Sequence, residues 1–204
     1  MKHVQVGDRI GVGPQSSACR RDDCAECSSG QLNYCVRAVP TYNGNYPHGI
    51  GRSQGGFGNY NRANGAFVFK IPDGVASEDA APMLCAGSTV FAPLKKYGCG
   101  PGKKIGVVGI GGLGHFALLF GKALGADEVV AISRGSSKKE DALALGADRF
   151  VATGEDADWA AKLDRTLDLL VVTGSSADMP VEKYMAVLKV GGTLLHLGYR
   201  HRPA

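Results

Sequence analysis

The stretch Ile105-Gly106-Val107-Val108-Gly109-Ile110-Gly111-Gly112-Leu113-Gly114 decides the fold. Residues 105–108 form an apolar run that reads as a buried strand, and residues 113–124 read as a helix stopping at Gly125. Between them, Gly109 to Gly114 fits G-x-G-x-x-G. The glycines are needed for different physical reasons. Gly109 permits the tight turn, Gly111 lets the backbone approach a pyrophosphate, and Gly114 lets helix and strand pack closely. The helix N-terminus then presents N–H groups and the positive end of its dipole to the phosphates. The motif alone is weak evidence in a chain with 30 Gly among 204 residues, but a strand before it and a helix after it make it informative.

Reading outward from this loop toward the C-terminus, strands are expected over 129–133, 149–152, 167–173 and 193–197. Helices are expected over 137–145, 157–163 and 179–188, and the last strand follows a Gly191-Gly192 turn. Strands alternating with helices predict an α/β fold with a doubly wound parallel (Rossmann) sheet. Toward the N-terminus the character changes. Residues 1–72 hold four of the Cys and many Gly, Asn and Tyr, with short β-rich pieces at 8–12 and 67–71, so an all-β or loop-rich segment is expected. The Pro72-Asp73-Gly74 turn closes it. Ser77 then reads as the N-cap of a helix with Glu78 and Asp79 in its first turn.

Composition excludes several classes. With 44% hydrophobic and 21% charged residues and no G-X-Y period, the chain is neither disordered nor collagen-like. Its longest uncharged run, 105–121, is too short and too broken by Gly to span a membrane, and no secretory leader pattern opens it. A soluble, intracellular protein is expected. The net charge of +4 comes from scattered basic residues and does not mark a nucleic-acid binder.

Six Cys in such a chain argue for metal ligands or thiols rather than disulfides. Cys19, Cys24, Cys27 and Cys35 form C-x4-C-x2-C-x7-C. Four thiolates suit a closed, tetrahedral, structural zinc, which would stabilise a segment poor in apolar residues. Cys85, in an apolar helix-forming context, reads from the residues alone as a buried small hydrophobe. Cys99 lies in a Gly-rich turn with no visible role. At the end of the second strand an NAD site would carry an acid for the ribose 2′-OH, but the sequence there is Ile132-Ser133-Arg134-Gly135-Ser136-Ser137-Lys138. Ser133, Arg134 and Lys138 instead suit a 2′-phosphate, so NADP(H) is preferred over NAD(H).

Val6-Gly7-Asp8-Arg9-Ile10, the four-Cys loop, Gly55-Gly56-Phe57, Ala81-Pro82-Met83-Leu84-Cys85-Ala86-Gly87-Ser88-Thr89, Gly109 to Gly114 and Ile132-Ser133-Arg134 occur in one order along nearly the whole chain. The series resembles the zinc-containing medium-chain alcohol dehydrogenases, most closely their cinnamyl alcohol dehydrogenase-like, NADP(H)-dependent branch. One departure is visible: the family usually has two residues between the first and second Cys, and here there are four. The resemblance implies reversible oxidation of primary alcohols to aldehydes, with hydride passing to or from the nicotinamide and a catalytic zinc polarising the substrate oxygen. It also implies that Cys85 is one ligand of that zinc, that Thr89 packs by the nicotinamide, and that Gly109, Gly111, Gly112, Leu113 and Gly114 form the pyrophosphate loop. Ser133, Arg134 and Lys138 match the 2′-phosphate site.

The family's early segment, which carries the first catalytic zinc Cys and a Gly-His-Glu motif, has no counterpart here, since no Gly-His-Glu occurs in the chain, and the sequence stops shortly after the fifth strand. The expectation is therefore a chain truncated at both ends, with zinc in the structural site and catalytic zinc only if the missing segment is supplied. Its expected organisation is a partial GroES-like β domain over 1–75, a connecting helical segment over 76–100 and an incomplete Rossmann domain over 101–204. The resemblance implies a cytoplasmic enzyme with a small-molecule alcohol or aldehyde as its partner, no nucleic acid or membrane partner, and homo-oligomerisation left open. A non-catalytic NADP(H)-binding, zinc-stapled module is the alternative. A zinc-ribbon interaction domain is the weakest reading, since it leaves the glycine loop unexplained.

Overall fold

A computed structural model describes residues 3–176 and 178–198. The tail 199–204 therefore lies outside the described residues. The chain divides into two compact units, Met1–Cys85 and Ala86–Ala204.

The first unit is built from small antiparallel ladders. Strand β1 (Ile10–Val12) is followed by β2 (Gln15–Ser17), helix α1 (Ala25–Ser28), β3 (Val39–Pro40), β4 (Tyr42–Tyr46), β5 (Gly51–Gln54) and β6 (Val68–Lys70). β1 pairs with β6, β2 with β3 and β4 with β5. The strands expected over 8–12 and 67–71 are these β1 and β6, joined with Ile10 opposite Lys70. Lys70 Nζ reinforces the pair through Asp8 Oδ1 at 2.6 Å. The apolar interior is thin: Val39, Phe67, Val68 and Ala80 are buried together with Cys24 and Cys35, while Phe57 and Tyr60 are almost fully exposed.

Helix α2 (Ser77–Pro82) corrects the expected cap. Its N-cap is Ala76, and Ser77 is already helical. The Ser77 hydroxyl accepts instead from Arg9 Nη1 at 3.2 Å. A π-helical turn, Met83–Gly87, then leads into α3 (Ser88–Lys96).

The second unit holds a five-stranded parallel sheet: β7 (Lys104–Val108), β8 (Glu128–Ser133), β9 (Arg149–Ala152), β10 (Leu167–Val172) and β11 (Leu188–His196). Their order is β11-β10-β7-β8-β9, so successive strands run outward from β7 and the direction reverses between β7 and β10. Both faces are covered. α3, α4 (Gly112–Ala123) and α5 (Lys139–Ala144) contribute to one apolar layer with Ile105, Val107, Leu118 and Val129, and Phe91 of α3 meets Phe120 of α4 edge-on. Trp159, Leu163 and Tyr184, the last on α6 (Val181–Ala186), form the other layer with Val130, Ile132 and Leu170. Burial on both faces explains why these strands read as continuous apolar runs.

α4 stops as expected, with Gly125 in the left-handed region at φ 83°. Other expectations need correction. No α-helix spans 157–163; turns and one 3₁₀ turn, Ala161–Leu163, stand there. The Asp156 carboxylate accepts from the Asp158 amide at 3.1 Å and from Lys162 Nζ at 2.6 Å, a local alternative to helical pairing. The helix expected over 137–145 begins as a 3₁₀ turn, Ser136–Lys138. The last strand begins at Leu188 and passes through Gly191-Gly192, with a register shift against β10 that absorbs the extra residues.

Asp168 fastens the amino end of the sheet. It accepts from the Lys104 amide of β7 at 2.9 Å and from Lys189 Nζ of β11 at 2.8 Å. Burial opposes its ionisation, but the Lys104 amide and the Lys189 and Lys103 ammonium groups outweigh that and hold its pKa below the ordinary value. A depressed carboxylate contributes stability above its unfolded pKa and loses it as pH falls through the folded value. Asp168→Asn should therefore cost about 1 kcal/mol at neutral pH, and this difference should start to shrink only as pH falls below about 4. Urea midpoints of the two proteins from pH 7 to pH 3 check this.

Candidate functional site

The carboxyl ends of β7, β8 and β10 open into a cavity of about 450 Å³. Gly109, Ile110 and Gly111 line it from the loop after β7, Ser133, Arg134 and Lys138 from the loop after β8, and Gly174, Ser175, Ser176, Met179 and Tyr184 from the segment after β10. This is the crevice where the strand order reverses, the place where open α/β sheets bind ligands.

The glycines differ in their surroundings. Gly109 has φ 88°, and a methyl there would meet Thr173 Oγ1 at 3.0 Å. A methyl on Gly114 would collide with the backbone carbonyl of Gly109, so this glycine is needed for the loop to fold back on α4. Gly111 and Gly112 have nothing within 4 Å of such a methyl; their faces are open to a ligand. Gly112 and Leu113 sit in the first turn of α4.

The basic wall is equally specific. Ser133 ends β8 half-buried, and Arg134 and Lys138 are exposed. Lys138 Nζ reaches across to the Ile110 carbonyl at 2.6 Å, joining the two loops. Among the described residues, the Arg134 guanidinium has no hydrogen-bond or ion-pair partner, which leaves its donors for an anion. Motif reading misses the residue that begins the segment behind the third wall. Thr173 donates to the carbonyl oxygens of Val108 (3.1 Å) and Gly109 (2.7 Å) and so pins the glycine loop to the neighbouring strand. The visible signal is Thr173-Gly174-Ser175-Ser176, a run of small polar residues directly after an apolar strand.

The four cysteines of the first unit converge. Cys19, Cys24, Cys27 and Cys35 have all their sulfurs within 4.8 Å of one another, and three of the pairs stand 3.5, 3.7 and 4.0 Å apart. A tetrahedral zinc with Zn–S near 2.3 Å requires sulfur–sulfur edges of about 3.8 Å, so the donor set fits that ion in both chemistry and span. Between Cys19 and Cys24 the chain turns left-handed at Arg20, with φ 51°. The Arg21 amide, directed at Cys19, holds its thiol down to about 6. Cys24 receives the Cys27 amide, yet Glu26, burial and the neighbouring thiols outweigh it and push Cys24 up to about 12.

Cys85 lies in the π-helical turn and is exposed rather than buried, so it is not the packed small hydrophobe its apolar neighbours suggest. Cys99, by contrast, is buried in the apolar layer of the sheet. Thr89 is exposed on α3, and neither it nor Cys85 lines the cavity. Among the described residues the four-thiol group is the only cluster suited to a metal, and Cys85 is not part of it.

Two family models match the chain. An alcohol dehydrogenase GroES-like domain covers residues 1–73, and a zinc-binding dehydrogenase domain covers residues 112–204. The chain belongs to the zinc-containing medium-chain alcohol dehydrogenases, in their cinnamyl alcohol dehydrogenase-like branch. It is 45% identical over 195 residues to NADP-dependent alcohol dehydrogenase 6 of Saccharomyces cerevisiae, a match covering 95% of this chain and 53% of the relative. It is 41% identical to probable cinnamyl alcohol dehydrogenase 1 of Oryza sativa subsp. japonica, covering 98% and 55%. Among solved structures, a cinnamyl alcohol dehydrogenase of Sorghum bicolor matches with a TM-score of 0.89 at 38% identity, over 98% of this chain and 56% of that one. The CAD of Helicobacter pylori, solved in complex with NADP(H), matches with a TM-score of 0.83 at 31% identity, over 97% and 55%. The chain thus spans about half the length of the curated relatives it matches. Among the described residues no helix is long and apolar enough to cross a membrane.

Proposed function

We propose that this chain binds NADP(H) in the cavity at the carboxyl ends of β7, β8 and β10, and that it serves hydride transfer between NADP(H) and a primary alcohol or aldehyde. The observation that carries the reading is the convergence of Gly109, Gly111, Ser133, Arg134 and Lys138 on one cavity at the reversal point of the sheet. In this reading the open faces of Gly111 and Gly112, with Leu113 and Gly114 opening α4, receive the pyrophosphate. Ser133 and Arg134 hold the 2′-phosphate, with Lys138 beside them, and Thr89 contacts the nicotinamide. The bound dinucleotide supplies the hydride; the chain orients it and neutralises its charge. The described residues do not make a catalytic zinc site around Cys85, and no step is assigned to one.

The four-thiolate group, in turn, holds a structural zinc that fastens a unit with a thin apolar core. The organisation that goes with this reading is a partial GroES-like domain over 1–75, a helical connection over 76–100 and a nucleotide-binding domain over 101–204. It describes a cytoplasmic protein with a small-molecule partner, without a nucleic-acid or membrane partner, and a candidate for homo-oligomer formation.

Metal content and turnover test the proposal together. The purified chain is expected to carry one zinc and to bind NADPH. Aldehyde reduction by it would support the full enzymatic reading, whereas NADPH binding with one zinc and no turnover would favour a non-catalytic, zinc-stapled module. Chelation is expected to abolish amide exchange protection within residues 10–70, an effect of several kcal/mol, while the sheet of the second unit stays protected. Unchanged protection in the first unit would contradict the structural role of the metal.

A further inference from the structure

We infer that Glu155 is a positioning residue for 2′-phosphate selection, acting through the Ser136 amide. The inference rests on the NADP(H) reading of the cavity. Three hydrogen bonds fasten the segment after β9 to the loop after β8. The Thr153 amide donates to the Ser133 carbonyl at 2.8 Å, and the Gly154 amide donates to the Arg134 carbonyl at 2.8 Å. The third runs the other way: the Ser136 amide donates to Glu155 Oε1 at 2.8 Å.

The first two rungs continue the β8–β9 ladder past its last pair, Ser133 with Ala152. Glu155 extends the clamp beyond the strand ends, to the residue that opens the 3₁₀ turn carrying Lys138. The 2′-phosphate loop is thereby held at both ends, by Glu155 at Ser136 and by the bond from Lys138 Nζ to the Ile110 carbonyl at 2.6 Å. Gly154 belongs to the same device. A methyl there would stand 2.8 Å from the Arg134 carbonyl oxygen, so the two segments approach this closely only because residue 154 has no side chain.

A carboxylate close to a phosphate subsite opposes anion binding by its charge, which makes its presence informative. Its value must lie in the acceptor oxygen it offers to Ser136. The two properties can be separated, since glutamine keeps the acceptor and removes the charge. NADH carries a neutral 2′-hydroxyl in place of the phosphate and so draws little on Arg134 and Lys138, the basic groups of this loop. Loss of the Glu155 bond should therefore touch NADPH and spare NADH.

Calorimetric titration of the full chain and its variants with NADPH and with NADH tests this. Glu155→Ala is expected to weaken NADPH about tenfold, the worth of one hydrogen bond to a charged group, and NADH by less than about twofold. Glu155→Gln should keep NADPH at least as tight as in the parent. Gly154→Ala, whose methyl would crowd the Arg134 carbonyl oxygen at 2.8 Å, should likewise weaken NADPH more than NADH. If Glu155→Ala keeps the parental NADPH-to-NADH ratio, or Glu155→Gln falls as far as Glu155→Ala, the role of Glu155 is overturned while the cofactor reading stands. If the parent chain itself binds NADPH no better than NADH, both are overturned.

Discussion

Gly114→Ala is expected to disrupt the second unit, whereas Gly111→Ala should leave the fold intact and remove the nucleotide. The two positions lie three residues apart in one motif, yet their surroundings are opposite. A methyl at Gly114 runs into the Gly109 carbonyl, a backbone atom that can move only by breaking the turn. That turn is also fixed from the other side by Thr173, so the loop cannot yield locally. The expected cost is about 3 kcal/mol, with a fall in Tm on the order of 10 °C. At Gly111 the backbone has φ −111°, which alanine adopts freely, and nothing stands within 4 Å of the new methyl. Its Tm should match the parent. The methyl would instead occupy the face that a pyrophosphate must approach, weakening both dinucleotides roughly 10- to 100-fold. Melting curves and NADPH titrations of the two variants check the contrast; a Gly114→Ala protein as stable as the parent would show that the loop has slack that its geometry denies.

Arg134→Asp should reverse the coenzyme preference. The guanidinium stands exposed at the mouth of the cavity with no intramolecular partner among the described residues, so its replacement breaks nothing in the fold. Facing a 2′-phosphate, the change removes a charge-assisted contact and adds a repulsion. An expected loss of roughly 2–3 kcal/mol corresponds to about 30- to 100-fold in NADPH affinity. NADH carries no phosphate there, and an Asp at this strand end suits its ribose 2′-hydroxyl, so NADH binding should hold or improve. Because Arg134 is exposed, the parent's advantage for NADPH should also shrink as salt is added. Equal weakening of both coenzymes would place the 2′-phosphate elsewhere.

Most of the sheet is legible in the sequence because its strands are buried on both faces. The apolar runs of β7, β8 and β10 announce themselves without any alternation pattern. The glycine loop is legible because its spacing is a requirement of backbone contact rather than of side-chain chemistry. Three features are not. The crossover before β10 carries helix-forming alanines, yet the Asp156 carboxylate takes the Asp158 amide locally and only turns and a 3₁₀ turn stand there. Cys85 sits in an apolar sequence that suggests burial, yet it stands exposed in a π-helical turn that the sequence pattern does not announce. The far wall of the cavity, formed by Gly174, Ser175, Ser176, Met179 and Tyr184, comes from a segment roughly sixty residues or more beyond the glycine loop, and adjacency of that kind follows from strand order. The four-cysteine group, conversely, can be read from sequence although its first spacing is unusual, because four thiols in so short a stretch are themselves the signal, and their sulfurs do converge within 4.8 Å.

If the cavity takes NADP(H) as proposed, it must discriminate between two coenzymes that differ only in the 2′-phosphate. The decisive measurement is titration of NADPH and NADH into the purified chain in the same buffer, followed by calorimetry and by the emission of Trp159. This is the only tryptophan, and its ring lies 6.1 Å from that of Tyr184 in the cavity wall. NADPH is expected to bind at least about tenfold more tightly than NADH, with a Trp159 signal that changes to saturation. Equal affinity, a preference for NADH, or no binding of either would refute the assignment of the cavity.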